Sequence, residues 1–91
     1  MTLELYVTAR FKRDMRLMAR RGLDLSAMDE AVDMLRRCQP LPEKYRDHDL
    51  SGDYKGFREC HIQPDWLLVY RVDAGALILT LARTGTHSDL F

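Results

Sequence analysis

The spacing of apolar residues changes several times along this chain, and each change predicts an element. Leu3, Leu5 and Val7 alternate with Thr2, Glu4 and Tyr6, the period of two expected of a short strand with one buried face. From Ala9 to Arg21 the period lengthens, and Phe11, Met15 and Met18 fall on one helical stripe. Thr8 suits the N-cap of that helix, and Gly22 is placed to end it in the left-handed conformation. A second helix follows, capped by Asp24 or Ser26 and running to about Cys38, with Leu25, Met28, Val32 and Leu35 at spacings of three and four. Pro40 stops it. Two helices joined by so few residues make an antiparallel hairpin that can lay its apolar stripes on a sheet, with the methionines as core filler.

Pro40-Leu41-Pro42 opens an irregular connection that lasts to Tyr54, and such a long segment in a small domain is more often functional than idle. Leu50 is expected to anchor it in the core, with Gly52 supplying a turn and His48 held at a defined place. The stretch from Lys55 to Arg71 then reads as two strands folded back on each other, Gly56 to Ile62 and Trp66 to Val72. Pro64 cannot donate to a strand ladder, so Gln63-Pro64-Asp65 is the turn. Trp66-Leu67-Leu68-Val69-Tyr70 is apolar at every position, as a central strand is. Asp73-Ala74-Gly75 reads as a second turn and Ala76 to Arg83 as the last strand. Pairing Val72 with Ala76 sets Leu67 opposite Leu81 and Asp65 opposite Arg83, and alternation puts His61, Leu67 and Arg83 on one face. The expected architecture is α+β in the order β-α-α-β-β-β, with the helix hairpin on one face of a small, mainly antiparallel sheet.

Composition narrows the class. Ninety-one residues, 46% hydrophobic and 31% charged, predict one globular domain spanning 1–91. The opening MTLELYVT has no basic n-region and no long apolar run, so neither a secretion signal nor a membrane span is expected, and the cytoplasm is the expected location. Cys38 and Cys60 stand alone, which fits a reducing compartment and predicts two small buried hydrophobes. Formal net charge is zero, so overall balance lends nothing to nucleic-acid binding. The distribution is uneven: Arg10 to Arg21 is a basic block with Asp14 as its single acid, while Asp24 to Asp33 holds acids and no base. Such a block can face phosphates, a partner or plain solvent.

The candidate chemistry lies in three histidines from three segments. His48, His61 and His87 converge in the expected fold with Asp65 and Arg83. Histidine gives and takes protons near neutrality, and arginine stabilises anionic oxygens without losing its own proton, a set suited to proton transfer around a phosphate. Separately each has a plainer reading, His48 as an exposed loop residue and His61 with Asp65 as solvation of a hairpin end. A metal site is the rival. Against it, no two histidines have helical spacing, and adjacent Cys60 and His61 would point to opposite faces of a strand.

Three motifs carry a family resemblance: Asp47-His48-Asp49-Leu50-Ser51-Gly52, the segment from Tyr54 to Trp66, and the ending Arg83-Thr84-Gly85-Thr86-His87-Ser88-Asp89-Leu90-Phe91. With the separations between them, they resemble the YafQ branch of the RelE/ParE-type toxins over the whole chain. The resemblance implies a RelE-like fold and the toxin of a type II toxin–antitoxin pair. It further implies an endoribonuclease that cuts messenger RNA in the A site of the 70S ribosome, without a metal or other cofactor and without a membrane. A cognate, DNA-binding antitoxin would hold it inactive in a hetero-oligomer, and the basic stripe Lys12, Arg16 and Arg20 is a candidate surface for it.

His48, His61, Asp65 and His87 match the family's catalytic positions, with Trp66, Arg83 and Phe91 also at its active site. In the implied mechanism the RNA 2′-hydroxyl attacks the neighbouring phosphorus. His48 is the base and His87 the acid, roles that could be exchanged; His61 and Asp65 orient or charge the network, and Arg83 neutralises the phosphate. Phe91 or Trp66 could stack on a base, Trp66 being equally a core residue, and Lys55 and Arg58 are cations expected against the substrate. The alternative is a ParE-like toxin that shares the fold and inhibits DNA gyrase without cutting RNA. Three histidines gathered with an arginine favour the nuclease, because an inhibitory surface has no need of titrating groups.

Overall fold

Trp66-Leu67-Leu68-Val69-Tyr70 is buried at every residue, and the other elements are laid out around it. The computed structural model describes residues 1–91. In chain order its elements are β1 (Glu4–Val7), α1 (Ala9–Arg20), α2 (Leu25–Arg36), β2 (His48–Asp49), β3 (Arg58–Gln63), β4 (Trp66–Asp73), β5 (Ile78–Gly85) and α3 (His87–Leu90). The strands form one sheet in the order β1-β5-β4-β3-β2, antiparallel throughout except for β1, which runs parallel to β5. α1 packs across β5 and α2 against β3. Phe11, Met18, Met28, Ala31 and Leu35 thereby meet Cys60, Trp66, Leu68, Tyr70, Leu79 and Leu81 in one core. No helix is long and apolar enough to cross a membrane.

The helix ends follow the expected chemistry. The Thr8 side chain accepts from Phe11 N, and Asp24 rather than Ser26 caps α2, accepting from Ser26 N. Gly22 ends α1 at φ 79°, where the Leu23 amide donates to Met18 O and closes the last turn. α2 closes the same way, but the left-handed position there is Cys38, at φ 58°. Cys38 is therefore exposed, contrary to expectation, whereas Cys60 is fully buried and desolvation pushes its thiol up to about 12. Alternation in β1 also buries less than expected. Leu3 is covered, but Leu5 stays partly exposed on this edge strand.

The connection from Pro40 to Tyr54 holds more structure than its composition suggests. A 3-10 turn at Glu43–Tyr45 drops Tyr45 into the core, so Tyr45 and not the half-buried Leu50 is the anchor. His48–Asp49 then pairs with β3 as the fifth strand, an element missed in the sequence because two residues carry no period.

In the β3–β4 hairpin the turn is shorter than Gln63-Pro64-Asp65: Gln63 is the last residue of β3 and pairs with Trp66, Ile62 bulges, and His61 lies opposite Leu67, on the face alternation assigns it. The β4–β5 register differs. The loop is longer than Asp73-Ala74-Gly75, so Asp73 pairs with Ile78, Leu77 takes a left-handed φ of 58°, and one further residue bulges between the Val69–Arg83 and Tyr70–Leu81 pairs. Arg83 thus lies opposite Val69 instead of Asp65, and Leu67 opposite Gly85 instead of Leu81. The two errors sum to four residues. That is an even number, so Arg83 still shares a face with His61 and Leu67.

Trp66 is core. Its indole is 1% exposed, Nε1 donates to Thr84 Oγ1 at 2.8 Å, and that hydroxyl donates to Leu67 O at 2.6 Å. It has no free ring face, which corrects its assignment as a stacking platform for substrate. Trp66→Phe should cost about 1–3 kcal/mol in urea unfolding, through lost volume and a broken buried hydrogen bond. A catalytic change in the fraction that remains folded would contradict a purely structural indole.

Candidate active site

The sheet face turned away from the α1–α2 core begins its polar row at β2. His48 pairs across to Glu59 on β3, and His61 follows Glu59 by two residues, so all three project from one face. Arg46 shapes the approach: it sits in the left-handed region at φ 47°, and its carbonyl accepts a 2.7 Å hydrogen bond from His48 Nδ1. His61 Nδ1 donates to the Pro64 carbonyl at 3.2 Å across the hairpin turn. His87, at the first position of α3, donates through Nδ1 to Asp65 Oδ1 at 2.9 Å, and its backbone amide reaches the same oxygen at 3.1 Å.

These acceptors fix one proton on each ring. A carbonyl or a carboxylate can only accept, so each histidine carries a proton on Nδ1; Nε2 of His61 and His87 is left unbonded, while Nε2 of His48 faces Glu59 Oε2 at 3.4 Å. The rings form a row, His48 to His61 at 6.4 Å and His61 to His87 at 5.8 Å between centroids. Asp65 is held below the usual carboxylate range, chiefly by the His87 hydrogen bond, and so stays ionised beside that ring at neutral pH.

Glu59 is the residue that sequence reading missed. It is 5% exposed, Oε2 lies 3.4 Å from His48 Nε2, and Oε1 is buried without any hydrogen-bond partner. A buried carboxylate oxygen left unpaired costs free energy, and such groups gather where function requires them. One signal was available, since a carboxylate two residues before a histidine in a strand shares its face. Glu59, His61 and His87 also offer ligand atoms all within 4.8 Å of one another. The spacing argument against a metal is thereby overturned, because the donors meet through the fold.

The other expected contacts separate. Arg83 is on the correct face, but its Nε and Nη2 bind Asp14 of α1 at 2.8 and 3.3 Å, and Tyr54 is a further partner. Arg58 points to the opposite face from Glu59 and His61, where it pairs with Asp47 and Asp49 while the Tyr70 hydroxyl donates to Asp47. That corrects its placement among the substrate contacts. Lys55 is exposed just before β3, and Phe91 is 63% exposed with its ring edge-on to Tyr54 at 5.6 Å.

The tail that carries His87 is tied down by polar contacts. Thr86 and Asp89 form a reciprocal capping box, and Asp89 takes a two-pronged ion pair from Arg21, at 2.7 and 3.1 Å, which holds its carboxyl well below the usual range. Gly85 lets the turn close this tightly: a Cβ there would stand 2.8 Å from Asp89 Cβ.

The model of the family described as the bacterial toxin of type II toxin–antitoxin system, YafQ, matches residues 3–91. The chain belongs to the YafQ family. It is 35% identical over 85 residues to the mRNA interferase toxin YafQ of Escherichia coli K12, covering 92% of this chain and 90% of that one. The metal-bound toxin from Helicobacter pylori superposes with a TM-score of 0.92 at 42% identity, over 98% of this chain and 99% of that one. YafQ in the E. coli DinJ–YafQ toxin–antitoxin complex gives 0.90 at 33% identity, over 100% and 99%.

Gly85→Ala should displace α3 and His87 while leaving the sheet intact. The expected signature is faster amide exchange over residues 86–91, unchanged protection in β4 and a large loss of activity. Unchanged exchange in the tail would show that the close approach is not needed.

Proposed function

We propose that this toxin is a side-chain-catalysed endoribonuclease that cuts messenger RNA on the ribosome. The observation that supports the reading is the row of three histidines, each with Nδ1 on a fixed acceptor, with Nε2 unbonded at His61 and His87 and set against Glu59 Oε2 at His48. His48 Nε2 takes the proton from the RNA 2′-hydroxyl, which attacks the adjacent phosphorus, and Glu59 stabilises the imidazolium that forms. His87 protonates the leaving 5′-oxygen, with ionised Asp65 holding its ring. His61, between them, orients both, and Arg83 neutralises the phosphate with the guanidinium edge that Asp14 leaves uncovered. Lys55 and Phe91 contact the flanking RNA. Membership of the YafQ family supports this over gyrase inhibition. A cognate antitoxin and a cytoplasmic setting belong to the same reading, and the exposed stripe of Lys12, Arg16 and Arg20 on α1 is a charged surface for that partner.

His87→Ala should slow the chemical step by on the order of 10²- to 10⁴-fold, because the 5′-oxygen leaves poorly unless protonated. Melting temperature and ribosome binding should hardly change, since His87 is exposed on the tail. Single-turnover cleavage with excess toxin, read by primer extension on a defined message, separates the two effects. Wild-type products should end in a 2′,3′-cyclic or 3′-phosphate. A 3′-hydroxyl end would point to attack by water and sink these roles.

Metal occupancy is a second reading that one observation favours: the meeting of Glu59, His61 and His87, with Nδ1 of both histidines bonded outward as metal-ligating histidines usually are. Zinc bonds of about 2.0–2.1 Å put tetrahedral ligands about 3.4 Å apart, so the rings would swing inward to close on an ion. A metal there would occupy Nε2 of His87, the atom that protonates the leaving oxygen in this mechanism, and would pull Glu59 away from His48. Cleavage should therefore survive chelation on ribosomes stabilised by polyamines and fall on adding zinc or copper. Activity that requires the metal would reverse this reading.

A further inference from the structure

A cleft of about 430 Å³ lies beside the histidine row, between the 3-10 turn at Glu43–Tyr45 and the β3–β4 turn. Lys44 and Arg46 line one side, and His61, Gln63 and Pro64 the other. His61 therefore belongs to both the cleft and the row, and is the residue that joins them. No acidic side chain lines the cleft, so its charge favours an anion. Its volume is in the range of small-molecule sites and suits one nucleotide. The walls are firmly set. Tyr45 is 4% exposed and roots the 3-10 turn, Lys44 Nζ stands 5.2 Å over its ring centre, and the left-handed Arg46 is tied through its carbonyl to His48.

We propose that this cleft holds the nucleotide next to the cleaved linkage, with Lys44 and Arg46 on its phosphate and the Gln63 amide against its base. An amide donates and accepts together, as base edges do, so Gln63 is the side chain that sets preference at that nucleotide. Lys44 and Arg46 are binding residues and take no part in proton transfer. The assignment rests on the nuclease reading above and adds to it a path for the RNA, running from His87 past His61 toward the 3-10 turn.

The test is single-turnover cleavage of ribosome-bound synthetic messages in which each phosphate flanking the cut is replaced, one at a time, by a neutral methylphosphonate. Wild-type toxin is compared with Lys44→Gln, Arg46→Gln and the double variant, each checked by thermal melt. At one flanking position the neutral linkage should raise the half-saturating concentration for wild type on the order of 10-fold, leaving the maximal rate within about 2-fold. In the double variant the same linkage should have no further effect, since one contact has been removed from both sides. Gln63→Leu should flatten the base preference at that nucleotide. Neutral linkages that cost the variant as much as wild type at every position would overturn the proposal, as would a fall in maximal rate without a change in half-saturation. Absence of any cleavage by wild type would instead overturn the nuclease reading, and the cleft assignment with it.

Discussion

The burial of Trp66 to Tyr70, the first five residues of β4, on both faces is the constraint from which the rest of the structure follows. A stretch of strand apolar at every position cannot stand at an edge or show a face to water, so it needs a neighbour on each side and cover above and below. β3 and β5 supply the neighbours, and α1 with α2 supplies one cover. Trp66, Leu68 and Tyr70 point toward the helices, while Leu67 and Val69, equally inaccessible to water, belong to the opposite face. That second face has no helix hairpin. Tyr54, Phe57 and Phe91 gather there, with Phe57 against Arg71 and Tyr54 against Arg83, and the histidine row runs beside them. The face left without the helix hairpin is the one that carries the polar row.

Rigidity at the site is borrowed from the backbone. Two histidines are oriented by main-chain carbonyls and one by the side chain of a turn residue, and each acceptor is anchored in the β2–β3–β4 region of the sheet. Oxygens that can only accept keep Nδ1 of each ring protonated and hold the three imidazoles in fixed orientations. Glu59 fits the same scheme. Its unpaired buried oxygen is a cost the fold carries at one place only, between two of the histidines.

Much of this was legible in the sequence where a period or a stereochemical rule applied. Thr8, Gly22 and Pro64 marked boundaries because each has a local reason to sit at one, and the run from Trp66 to Tyr70 declared itself central by the absence of any polar position. The failures share a physical cause. The β4–β5 pairing was misjudged by four residues because Leu77 adopts a conformation that a bulky residue rarely takes, and because a bulge leaves no mark in composition. Arg58 was assigned to substrate and is instead tied to Asp47 and Asp49, acids that precede it by eleven and nine residues. Glu59 was overlooked since a lone glutamate is usually solvated, and only the fold shows that this one is not.

The attachment of α3 has a consequence for how toxicity can be lost. His87 is held through Gly85, Asp89 and Arg21, mostly polar contacts near the surface that add little to the stability of the whole. Damage there leaves the sheet and both long helices untouched, so the chain still folds and escapes the proteases that clear unfolded protein. Disarming this molecule and destroying it are separate events. If His87 acts as proposed, a single change in the last few residues leaves a cell with a full complement of folded but inert protein.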